Sequence, residues 1–334
     1  MINSTFCFTA PISPESTLWG RDREVRQAFS SFNQGRIPFF YGVGGIGTTS
    51  ILNKIVHNKR DTSVAVRTSA LLFEYQSFTE QLDALKEFVV VDCGLPNYFK
   101  RKSLTEIIRE VNNRHDKRLL LIIDDFEVHQ GEDIVKYLLE TRKTVDEFDM
   151  IMAGEYPLSR YGFLQGVGVY DPIRVRRLCS TSTAQHLAFG LIRNNIHVDK
   201  AEIESYVYGI TAGIPRLIQL FGTAVLLYKD SYQFYTFDSR SNGVALEISC
   251  ELGHFAFERI MSYPLPKMKE VLISLCEAPA TRNELINRYD LSDEHLDLII
   301  DYLSDACGVV CRDDGFLEVT PKIVTKYING GVFF

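Results

Sequence analysis

No apolar run in these 334 residues approaches the ~20 that a bilayer-crossing helix needs, so no membrane partner is expected. The opening stretch, residues 1–7, lacks the basic start and apolar core of a secretory signal. Paired cysteines are missing too. The seven cysteines are scattered, none in a CxxC pair, and Cys307 and Cys311 have no partnering His/Cys pair to complete a metal site. That usage reads as reduced, mostly buried thiols in a cytoplasmic protein. There is no basic excess: 36 Lys and Arg stand against 43 Asp and Glu, a formal net charge of −7, which disfavours a broad nucleic-acid footprint. Internal repeats and low-complexity tracts are absent. What is present, 46% hydrophobic and 24% charged residues, is the composition of a soluble globular chain long enough for two or three packed domains.

One further absence is a single lysine. The stretch Gly42-Val43-Gly44-Gly45-Ile46-Gly47-Thr48-Thr49-Ser50 matches the phosphate-loop pattern of Gly, four residues, Gly, Lys, Ser/Thr, except that Thr48 stands where the lysine belongs. The apolar run 37–41 before it reads as a buried strand and the residues after it as a helix. In that context the glycines let backbone N–H groups converge on phosphate oxygens, and the helix N-terminus adds partial positive charge. The plainer alternative is a tight strand-to-helix connection.

Along the first half, strand and helix patterns alternate. A helix runs from Gly20-Arg21-Asp22 to about Phe32, and strands are expected at 37–43, 63–67, 119–123, 149–153 and 173–175. The intervening helices include 78–91 and 103–114, the latter with Ser103 and Glu106 as a capping box. This is an α/β chain: a parallel sheet covered by helices on both faces. After about residue 180 the strand signal stops. Helical spacing at 183–193, 200–208 and 214–228 predicts a helical lid, and the polar segment 232–243 a linker. Helices at 265–277, 282–289 and 292–305, then a hairpin 309–319 turning at Asp313-Asp314-Gly315, describe a winged-helix domain. The expected domains are therefore 1–179, 180–243 and 244–334.

Strand 119–123 ends in Asp124-Asp125. An acid there could hold Mg²⁺ opposite the Thr49 hydroxyl, making Thr49 and Asp124 the metal pair, and Asp125 could orient an attacking water. Alternatively, both acids merely cap the next turn. Trp19-Gly20-Arg21-Asp22, the loop 42–50, Asp124-Asp125 and Gly213-Ile214-Pro215-Arg216 occur in an order that resembles the AAA+/STAND branch of P-loop ATPases. That branch includes relatives of archaeal replication initiators and transposition ATPases, and the resemblance covers about residues 15–230. It implies ATP or ADP with Mg²⁺ as cofactors. It places Trp19, Gly20 and Arg21 at the adenine, and Gly42, Gly44, Gly45, Ile46, Gly47, Thr48, Thr49 and Ser50 at the phosphates. Pro215 and Arg216 would lie over the nucleotide, Arg216 as a charge sensor, with Glu155 as the polar residue after the fourth strand.

Losing the lysine removes a charged hydrogen bond of roughly 1.5–3 kcal/mol, about tenfold to a hundredfold in affinity, and more from the transition state. The expectation is a nucleotide-binding regulatory or assembly subunit with weak or absent hydrolysis, joined to a protein partner or to copies of itself. A DNA-acting ATPase of the replication-initiator or transposition-regulator kind is the alternative. Against it, the helix at 292–305 carries Asp293, Asp297 and Asp301 along one face, which would repel phosphates.

Overall fold

The computed structural model describes residues 20–69, 77–126, 132–145, 148–155, 168–196, 200–232, 239–253, 257 and 265–330. Five strands form one parallel sheet: β1 (Ile37–Tyr41), β2 (Ser63–Ser69), β3 (Arg118–Phe126), β4 (Phe148–Gly154) and β5 (Tyr170–Arg174). Their order is β2-β3-β4-β1-β5. All five expected strands are present, because buried parallel strands read as largely apolar runs. In β3, Leu119, Leu121 and Ile123 enter one core while Leu120 and Ile122 enter the other. Each such side chain contributes about 1.5–3 kcal/mol on full burial.

One face of the sheet is covered by α3 (Phe78–Asp92), α4 (Leu104–His115) and α5 (Glu132–Thr144). The anticipated capping box opens α4: the Ser103 N–H donates to Glu106 Oε2 at 2.9 Å, and Ser103 Oγ accepts from the Glu106 N–H at 3.3 Å. The other face carries α1 (Asp22–Asn33) and α2 (Thr48–Lys59), and its apolar cluster continues without a break into the C-terminal half. That half begins with a helical bundle, α6 (Ser180–Arg193), α7 (Lys200–Thr211), α8 (Pro215–Tyr232) and α9 (Ser239–Leu252). It ends in α10 (Met268–Glu277), α11 (Arg282–Tyr289), α12 (Asp293–Cys307) and α13 (Lys322–Asn329). Between these helices lies a small antiparallel sheet, β6 (Ala280–Thr281), β7 (Val309–Cys311) and β8 (Phe316–Val319), in the order β6-β8-β7.

The polar segment at 232–243 is not simply a linker: from Ser239 the chain is helical again. Its polarity misleads because Ser241 and Asn242 are buried. Residues 233–238 lie outside the described set. Helix α5 and the terminal helix α13 were not expected either. Strand β1 sits between β4 and β5, so the connections leaving β1 and β4 run to opposite sides of it. The carboxyl ends of strands at such a reversal form the crevice in which open α/β sheets bind ligands.

Candidate functional site

The loop 42–47 leaves the carboxyl end of β1 at this crevice and feeds directly into α2. Gly42 donates its N–H to the Gly154 carbonyl at 3.2 Å, tying the loop to the end of β4. A Cβ on Gly42 would lie 2.8 Å from the Val175 carbonyl oxygen. Gly45 and Gly47 adopt left-handed φ values of +87° and +98°, conformations that glycine enters without the strain a Cβ brings. Gly44 lies in the turn between them and Val43, and Ile46 is fully buried as the loop's anchor. The first intrahelical bond of α2 runs from the Ile51 N–H to the Gly47 carbonyl at 3.2 Å. The amides of Thr48 and Thr49 precede it, as in any helix N-terminus that can receive an anion. Ser50 is buried in the same turn.

Side chains from the start of α1 and from α8 close on this loop. Arg21, only 3% exposed, donates from Nη2 to the Ile46 carbonyl and from Nη1 to the Arg176 carbonyl, both at 2.6 Å, and pairs with Glu24 at 3.2 Å. Burial lowers its pKa, with Glu24 opposing. It is therefore a brace beneath the loop. Arg216, at the start of α8, lies against Gly45: a Cβ there would come 2.5 Å from Arg216 Nε. Pro215 approaches Gly47 in the same way, 3.9 Å from a Cβ there. Gly20 has φ +69° and packs on α6, since a Cβ would lie 2.5 Å from Ser182 Oγ. Trp19 lies outside the described residues.

Thr49 and Asp124 meet as the sequence predicts. Thr49 Oγ1 donates to Asp124 Oδ2 at 3.1 Å, and Asp124 is 4% exposed. Asp125 follows in a left-handed conformation, φ +53°, with an exposed side chain, and its N–H donates to Asp124 Oδ1 at 3.0 Å. Glu155 lies just past β4. Thr48 opens α2, and its hydroxyl oxygen is buried with no hydrogen-bond partner among the described residues.

Sequence reasoning missed Arg67. It stands on β2, whose register with β3 pairs Arg67 with Ile122 and Ser69 with Asp124. Its guanidinium donates to Asp124 Oδ2 and, from Nη1 at 3.0 Å, to Asn53 Oδ1 on α2. Only the strand order, with β2 beside β3, could have revealed it. Hydroxyl and carboxylate are the oxygen donors that Mg²⁺ takes. Here, however, Asp124 Oδ2 already accepts from Thr49 and Arg67, and Oδ1 from a backbone N–H. With the guanidinium in place, the pair does not fit a divalent ion.

The helical bundle over the loop has its own titrating group. His186 of α6 is buried against Gln219 of α8. Burial, aided by the Arg21 charge, pushes its imidazole down to about 4. The unfolded imidazole titrates near 6.5, so the unfolded state binds the proton first on acidification. Stability is therefore full above pH ~6.5 and falls as pH drops toward ~4, by up to about 3 kcal/mol. Melting temperature measured across that range should decline, and the decline should be shallower in His186→Gln. Parallel curves would remove His186 as the cause.

No family model matches the chain. Its structure is similar to a Walker-type ATPase of Pyrococcus abyssi, with 15% identity, coverage of 96% of this chain and 99% of that one, and a TM-score of 0.67. It is also similar to a point mutant of RuvB from Thermotoga maritima, with 13% identity, 96% and 98% coverage, and a TM-score of 0.52. In sequence, a putative disease resistance protein of Arabidopsis thaliana is 23% identical over 219 residues, which is 64% of this chain. The chain spans about a quarter of that relative's length, 23%. The fold is that of the P-loop ATPases.

Proposed function

We propose that this chain is a nucleotide-binding regulatory or assembly subunit of the AAA+/STAND type, with a helical lid and a winged-helix C-terminal domain. In this reading ATP or ADP sets the geometry of these parts, and hydrolysis is weak or absent. The observation that carries the proposal is the convergence on one loop: a strand-to-helix glycine turn, Asp124 beneath it through Thr49, and Arg216 from α8 laid on Gly45. A ligand contacting both the loop and Arg216 would couple the sheet to the helices that follow it. Thr48, in the lysine's position, offers no charge to a breaking phosphate bond, which argues for holding nucleotide over turning it over.

The acidic helix gives the DNA-acting alternative no support. Asp293 and Asp297 of α12 pair with Arg282 at 3.4 and 2.7 Å, and Asp301 and Asp305 pair with Arg174. The helix that would enter a groove thus turns its acids toward arginines of its own chain.

Calorimetric titration with ADP and with ATP tests the proposal, and the absence of heat at millimolar ligand in every buffer would end it. Thr48→Lys should tighten binding by about tenfold to a hundredfold or bring measurable turnover. A variant indistinguishable from the parent on both counts would show that the loop is not a phosphate site.

A further inference from the structure

We propose that the guanidinium of Arg67 is the resident cation of this phosphate site, standing where the fold's divalent ion would stand, so that the chain binds nucleoside di- or triphosphate free of metal. This deepens the nucleotide-binding reading and rests on it. Three observations carry it.

First, Arg67 is positioned by the sheet. The β2–β3 register puts Arg67 beside Ile122, two residues before the Ser69–Asp124 pair, so its side chain reaches the carboxyl end of β3 from the neighbouring strand. Second, it is held at both ends. One nitrogen donates to Asp124 Oδ2, and the other donates to Asn53 Oδ1 at 3.0 Å on the helix that follows the phosphate loop. A guanidinium presents its donors in a fixed fork, so both contacts hold it in one orientation. Third, both oxygens of Asp124 are already engaged. They accept hydrogen bonds from the Thr49 hydroxyl at 3.1 Å, from Arg67 and from the Asp125 N–H at 3.0 Å.

A Mg²⁺ ion demands near-octahedral oxygen ligation at short range. To use Asp124 directly or through water, it would have to share the carboxylate with a positive charge already there. The arginine side chain is 35% exposed against 5% for Asp124. It therefore spans from the buried acid to the open rim of the crevice, where a phosphate at the helix N-terminus would lie.

The test is ADP binding by calorimetry in EDTA and in MgCl₂, with manganese as a paramagnetic probe in place of magnesium. The parent chain should bind ADP equally in both buffers and retain no Mn²⁺ beyond that held by free ADP. Arg67→Gln, which keeps hydrogen-bonding capacity but no charge, should lose about tenfold to a hundredfold in EDTA. It should recover in MgCl₂ and gain a bound Mn²⁺ signal. Arg67→Gln leaves a buried carboxylate without its partner, so Arg67→Gln/Asp124→Asn serves as the neutral control. It should melt close to the parent and bind ADP weakly in both buffers. Binding by the parent only when Mg²⁺ is supplied, or an unchanged Arg67→Gln in EDTA, overturns the inference while leaving the nucleotide reading standing. No heat in either buffer overturns both.

Discussion

Gly213→Ala should be the most damaging alanine substitution among the described glycines. Gly213 has φ +73°, and a Cβ built on it would lie 2.0 Å from the Leu178 carbonyl oxygen. That contact is with backbone, so no rotamer change relieves it. The same glycine accepts the Leu178 N–H at 2.8 Å, which fastens the chain leaving β5 to the corner between α7 and α8. The residue before it, Ala212, is also left-handed at φ +47°, so the corner has little freedom to rearrange. Strain of this kind together with a lost backbone bond falls among the severe single substitutions, above about 3 kcal/mol, or roughly 4 °C in melting temperature for a chain of this size. Pro215 and Arg216 lie two and three residues on, so any nucleotide affinity should fall with stability. The matched control is Gly35→Ala. Gly35 is left-handed too, at φ +66°, but a Cβ there meets nothing within 4 Å, and only the backbone cost of about 1–2 kcal/mol remains. Equal melting shifts in the two variants would show that the Leu178 contact does not hold the corner.

Much of the sheet was legible because buried parallel strands are written as unbroken apolar runs, as in Leu119-Leu120-Leu121-Ile122-Ile123. The loop and the acid at the end of β3 were legible because fixed spacing places them. The Thr49–Asp124 contact then follows from β1 and β3 ending on one side of the sheet. What stayed hidden depends on which strands are neighbours. Arg67 and Asp124 are 57 residues apart, and nothing in the period of either segment says that β2 lies beside β3. The acidic face carrying Asp301 read only as one that repels phosphates, and nothing in its spacing pairs it with Arg174; tertiary packing joins the two across 127 residues. Helix α9 was hidden for another reason: Ser241 and Asn242 near its start are polar yet buried, which inverts the usual inference from composition.

Breaking the contact between Arg174 and α12 should loosen the C-terminal helices from the sheet domain without unfolding either part. Arg174 ends β5 and donates from Nη2 to Asp301 at 2.6 Å and to Asp305 at 2.8 Å, with Nε also reaching Asp305 at 3.2 Å. Burial alone would lower the arginine's pKa, but hydrogen bonds to Asp305 and Asp301 more than offset it and raise it. The pair with Asp305 matters most, because that carboxylate is 10% exposed against 60% for Asp301. Arg174→Ala would strand Asp305 as a mostly buried, unpaired charge. The expected cost is about 2–3 kcal/mol, below the figure for a fully buried pair because the arginine itself is 27% exposed. Small-angle scattering should then show a larger radius of gyration, and protease should cut between the two halves sooner. Arg174→Lys should recover only part of the effect, since it restores charge but not the fork. The contact lies one strand from the loop: Val175 donates its N–H to the Tyr41 carbonyl at 2.8 Å, and the Arg176 carbonyl receives Arg21, which also holds Ile46. If nucleotide sets the domain geometry, linkage requires the geometry to set nucleotide affinity by the same factor. Arg174→Ala should therefore shift ADP affinity even though Arg174 is outside the loop. A variant that opens in scattering yet binds ADP as the parent does would separate the latch from the site and leave the coupling without a mechanism.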